Sequence, residues 1–114
     1  KNAGMLLIAK ALESEGQSIL EAAKGSGLVA LCIEGEAVDS QAFARRIEKF
    51  AQGGLGNLSF CIGSSHGLSD AVKNAAIWKL SMSRMTFPHR LARLILCEQL
   101  YRVFSITKGS PYHK

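Results

Sequence analysis

Residues 58–67 read Leu58-Ser-Phe-Cys-Ile-Gly-Ser-Ser-His-Gly67, an apolar run that stops abruptly in small and polar residues. The run is too short for a helix and carries no polar face. That pattern suits a strand covered on both sides of a parallel sheet. Leu28-Val-Ala-Leu-Cys-Ile33 repeats it earlier in the chain and ends in the turn-like Glu34-Gly35-Glu36. Trp78 to Arg84 reads as a third strand.

Helical patterns separate these runs. Met5 to Lys24 has Leu, Ile and Ala at helical spacing, with Gly16 weakening its middle and Lys24-Gly25 as a stop. Ser40 is placed to cap a second helix in which Phe43, Ala44, Ile47 and Phe50 share a face, broken at Gln52-Gly-Gly-Leu-Gly56. Ser69 caps a short helix to about Ala76. Thr86 is placed as the cap of the last one, with Pro88 in its first turn, and Leu91, Leu94, Ile95 and Val103 as its core residues to about Ile106. Alternating helices and buried strands predict an α/β domain with a mostly parallel sheet and flanking helices. Ligands in such sheets gather at the carboxyl ends of strands, here residues 31–34, 63–67 and 82–87.

The chain has 114 residues, about one domain, with 47% apolar and 20% charged residues. No run of about 18 apolar residues offers a membrane span, and Lys1-Asn2-Ala3-Gly4 does not open a secretory signal. Cys32, Cys61 and Cys97 are odd in number and widely spaced, with no CxxC pair and no His-x₃-His, so no metal site is expected. A reduced, cytoplasmic protein is the simplest expectation. Residues 1–72 carry six basic and eight acidic groups, a net of −2; residues 73–114 carry eight basic groups against Glu98 alone, a net of +7. A bias this one-sided favours an anionic partner such as RNA.

Single motifs decide little. Gly63-x-x-x-Gly67 lacks the GK[ST] of a P-loop and the GxGxxG of a dinucleotide site, and alone reads as a tight strand–helix turn. Residues 80–90, Leu-Ser-Met-Ser-Arg-Met-Thr-Phe-Pro-His-Arg, read equally as an edge strand before a capped helix or as a pocket rim whose backbone groups meet an adenine. His89 and Arg90 lie beside the positive end of a helix, where an imidazole is more often a surface or capping group. Glu98 and Arg102 have the spacing of a surface ion pair. Pro111-Tyr112-His113-Lys114 is either a fraying terminus or an aromatic, an imidazole and a cation presented to an RNA base.

The combination is specific. FCIGSSHGLS at 60–69, LSMSRMTFPHRLARLILCEQLYR at 80–102 and the terminal SPYHK together resemble the RlmH family of the SPOUT superfamily. The likeness is dense from Phe60 to Lys114 and extends more loosely back through residues 31–40 and the preceding helix. Members of that family use S-adenosylmethionine to methylate N3 of a pseudouridine in large-subunit ribosomal RNA. The resemblance implies a single domain over residues 1–114 with a deep C-terminal trefoil knot, and residues 107–114 as an active-site tail. It implies cofactor contacts at Leu31, Gly63, Met82, Ser83, Arg84, Met85, Thr86 and Phe87.

It also implies a homodimer in which one subunit's tail completes the other's site. His113, Arg102 and Tyr112 then take catalytic roles, and His89, Arg90 and Lys114 contact RNA. The expected substrate is the assembled ribosome. Relatives carry several dozen more N-terminal residues, including a strand and a helix, so the chain reads as truncated at that end. It departs from the family pattern at Cys32, Ser64 and the acidic pair Glu34 and Glu36. Two alternatives stay open: a SPOUT methyltransferase with another RNA target, and a non-catalytic RNA-binding protein.

Overall fold

The computed structural model describes residues 2–63, 67–83 and 85–107, without the side chains of residues 2–6, 8 and 107. Seven elements alternate as expected: α1 (Asn2–Ala22), β1 (Gly27–Ala37), α2 (Ser40–Gln52), β2 (Leu58–Ile62), α3 (Asp70–Ala75), β3 (Trp78–Ser81) and α4 (His89–Thr107). The strands form one parallel sheet in the order β2-β1-β3. Because side chains alternate along β1, its residues feed two cores. Val29 and Leu31 join Phe43, Ala44, Trp78, Leu80, Leu96 and Val103 under α2 and α4. Leu28 and Ala30 join Ala23, Cys61, Leu68 and Val72 under α1 and α3.

The first core is aromatic. Phe43 meets Phe60 edge-on at 6.2 Å between ring centroids, and Trp78 lies 5.9 Å from Phe43 and 6.1 Å from Phe50. Phe43 and Ala44 are buried while Ile47 and Phe50 pack at the margin, so the expected α2 face is the one that faces inward. Asp39 caps α2, one residue before the expected Ser40, its Oδ1 accepting from the Ala42 N–H at 2.7 Å. The Ser40 hydroxyl instead donates to the Gln99 amide oxygen and ties α2 to α4. Ser69 caps α3 as expected.

Three further expectations about element boundaries are corrected. First, residues 34–36 are no terminal turn: β1 runs on to Ala37 through a bulge in which Leu80 of β3 pairs with both Leu31 and Glu36. Gly35 is required there, since a Cβ would sit 2.7 Å from the Lys79 and Leu80 carbonyl carbons. Second, β3 stops at Ser81 rather than Arg84. The Ser81 hydroxyl donates to the Ser83 carbonyl at 3.1 Å and the Ser83 hydroxyl accepts from the Met85 N–H at 3.0 Å, which turns the chain out of the sheet.

Third, α4 begins at His89, not after Thr86. Pro88 bars Phe87 from helical geometry, and the Pro88 carbonyl accepts from the Ala92 N–H at 2.9 Å. The inward face of α4 is Ala92, Leu96 and Val103; Leu91 and Leu94, expected in the core, are exposed, and Ile95 is half-buried. Residues 91–96 are apolar on several sides, so periodicity does not choose a face and packing does. No described helix is long and apolar enough to cross a membrane.

Candidate functional site

The strand order dictates where a site forms. β3 and β2 flank β1 on opposite sides, so the chain leaving β3 has to pass from one side of β1 to the other for α4 to reach β2. It does so: His89 Nδ1 lies 3.1 Å from the Gly63 carbonyl at the end of β2. The crossing spans two strand spacings, about 10 Å, well within the reach of the seven residues 82–88. Under it is a cavity of about 230 Å³. All three strand ends picked out above wall it.

Leu31, Gly63, Met82, Ser83, Met85, Thr86 and Phe87, all expected on the site, line this one cavity; Arg84 lies outside the described residues. The bulge in β1 delivers Cys32, Ile33 and Glu34 to the same wall. Gly63 and Gly67 come together there. A Cβ on Gly63 would meet the Gly67 carbonyl carbon and oxygen at 2.6 Å, so the strand–helix turn leaves no room for a side chain. The two glycines read as a tight turn thus also line the pocket.

Two charged side chains line the cavity among the described residues, Glu34 and Lys73. They come from the β1 bulge and from α3, and Lys73 Nζ donates to Glu34 Oε2 at 2.5 Å. The Lys73 hydrogen bond holds the Glu34 carboxyl below its usual range, and Glu34 in turn raises Lys73. Burial, then the Glu34 charge, pushes the Cys32 thiol up. Burial pushes Cys61 up to about 11, with Cys32 adding to it, and its side chain belongs to the second core. Neither Lys73 nor its pairing was legible in the sequence, because the partner lies on a separate element.

Glu36, beyond the bulge, points elsewhere. Its Oε1 accepts from the Trp78 indole N–H and from Arg46 Nη2, both at 2.9 Å, and the Arg46 guanidinium lies over the Trp78 ring at 4.8 Å. Both acidic departures are therefore neutralised within the chain, Glu34 by Lys73 and Glu36 by Arg46.

Of the remaining expected residues, the three that are described, His89, Arg90 and Arg102, are not gathered at the cavity. His89 stands at its edge, bonded to Gly63, and Arg90 is exposed on the next position of α4. Arg102 Nε donates to Glu98 Oε1 at 2.7 Å, the ion pair its spacing suggested. At about 1.5 Å rise per residue, Arg102 lies roughly 20 Å along α4 from His89. Tyr112, His113 and Lys114 lie outside the described residues.

Comparison with known proteins bears on the whole chain. The profile of a family described as "Predicted SPOUT methyltransferase" matches residues 2–113. A protein of Bacillus pumilus (strain SAFR-032) named "Ribosomal RNA large subunit methyltransferase H" is 50% identical over 103 residues, covering 90% of this chain and 65% of the relative. A protein of Streptococcus pneumoniae (strain CGSP14) with the same name is 46% identical over 106 residues, covering 92% of this chain and 67% of the relative. The chain thus spans about two thirds of the length of these curated relatives.

Proposed function

The chain belongs to the SPOUT methyltransferase family and resembles its RlmH members, and from this we propose that it uses S-adenosylmethionine to methylate N3 of a pseudouridine in large-subunit ribosomal RNA on the assembled ribosome. The relatives' printed names supply the ribosomal RNA and the methyl transfer. One observation supports the cofactor best. Seven residues matched to its contacts, drawn from three strand ends far apart in sequence, line a single cavity.

The cavity suits such a molecule. Leu31, Ile62, Leu68, Met82 and Phe87 offer apolar surface to a purine, and the bare Gly63–Gly67 backbone permits close approach. S-adenosylmethionine, when bound, supplies a methyl group activated by its sulfonium. What remains for the protein is to hold the target N3 in line with that methyl and to remove the imide proton. We assign proton acceptance to His113, directly or through a water it holds, stabilisation of the developing anion to Arg102, and stacking on the base to Tyr112. His89, Arg90 and Lys114 then grip the RNA, and Arg84 completes the cofactor set.

Arg102 does not reach the cavity of its own chain, which favours a homodimer whose partner supplies it. An exposed apolar stripe on α4 offers the face: Leu91, Leu94, Tyr101 and Phe104 follow one another at helical spacing, with Leu94 65% and Phe104 60% exposed. The trefoil knot, the single domain over residues 1–114 with its tail at 107–114, and a cytoplasmic location belong to the same proposal. Tritiated-methyl transfer to ribosomes lacking the modification tests it. Label at a pseudouridine N3 is the expected result; cofactor binding with label elsewhere in RNA would favour another RNA target.

A further inference from the structure

We propose that Glu34 and Lys73 form a subsite for the amino-acid end of the cofactor, Lys73 receiving its carboxylate and Glu34 its ammonium group. The inference rests on the cofactor reading above but not on the family's contacts, which include neither residue. It starts from the division of chemistry along the cavity. Residues 82–83 and 85–87 contribute thioether, hydroxyl and aromatic groups without charge, a wall fit for a nucleoside. Charge among the described lining residues is confined to one place, where the β1 bulge meets α3.

A free amino acid end is a zwitterion, and a lysine–glutamate pair is its complement. Two observations fit the pair for that role. The groups already stand 2.5 Å apart, so each holds the other oriented and charged before a ligand arrives. They also keep capacity for more bonds: an ammonium has three donors and a carboxylate several lone pairs, and their side chains stay 25% and 56% exposed. A pair that served only to fasten α3 to β1 would not need to face a cavity. Docking the zwitterion would close a ring of four alternating charges, each joined by charge-assisted hydrogen bonds.

Isothermal titration with two nucleosides tests this on the 114-residue chain. S-adenosylhomocysteine carries the amino-acid end; 5′-methylthioadenosine shares the adenosine and sulfur but lacks it. Lys73→Gln is expected to weaken S-adenosylhomocysteine about tenfold, as befits loss of a partly exposed charge-assisted contact, and to leave 5′-methylthioadenosine within about twofold. Glu34→Gln is expected to discriminate the same way. Equal weakening of both nucleosides would mean that the pair only shapes the cavity, and unchanged binding of both would mean that it is idle; either overturns the subsite and leaves the cofactor reading standing. Failure of the unaltered chain to bind either nucleoside overturns the cofactor reading, and the subsite with it.

Discussion

Residues 27–31 and residues 32–37 belong to one strand and do opposite work. The first stretch is buried throughout, pairs in register with β2 on one side and β3 on the other, and divides its side chains between two cores. The second is mostly exposed, slips its register against β3, and spends its side chains on Lys73, Arg46 and a cavity. Of the regular stretch only its last residue, Leu31, also reaches the cavity, whereas the bulge brings Cys32, Ile33 and Glu34 to it at some cost in pairing. The difference teaches that stability and site are separated here along a single strand, not between domains.

That division is open to attack from the stable side first. Trp78→Ala removes the ring that joins Phe43, Phe50 and Arg46 and the donor to Glu36, and should cost about 3–5 kcal/mol in urea unfolding. If the aromatic core is less important than the bulge, the loss will be much smaller. Gly63→Ala comes next. Its Cβ would strike the Gly67 backbone, so we expect about 1–3 kcal/mol of overpacking cost together with weakened cofactor binding, since Gly63 and Gly67 both line the cavity. Thermal melts alongside calorimetry separate the two effects.

Lys73→Gln should be nearly silent in stability, within about 1 kcal/mol, because a partly exposed ion pair is screened by solvent. Its effect belongs to binding, which is the contrast the two halves of β1 predict. The smallest effect is on pH. Glu34 is held below its usual carboxylate range by Lys73, so its share of stability is present at neutral pH and disappears as pH falls through that lowered value. The stability gap between the unaltered chain and Glu34→Gln should therefore close in acid; a gap that persists there would assign the effect to something other than the charge.

Much of this was legible in the residues. Two apolar runs and the Trp78–Arg84 segment marked the three strands, and the residues at their carboxyl ends marked the cavity, because a buried parallel strand and a ligand-facing loop differ in composition. The bulge was not legible: Glu34-Gly35-Glu36 has the look of a turn, and only the β3 backbone lying against Gly35 keeps it in the sheet. Nor was the inward face of α4, since Leu91 and Leu94 are as apolar as Ala92 and Leu96 and only contact with α2 and the sheet distinguishes them. The Lys73–Glu34 pair joins separate elements and leaves no trace in local spacing.

The most direct test of the central claim is a crystal structure of the chain with S-adenosylhomocysteine. The account predicts the nucleoside in the cavity at the strand ends, against Leu31, Gly63 and residues 82–87, under the crossing that leads from β3 to α4. A nucleoside bound at any other place on the molecule would contradict it.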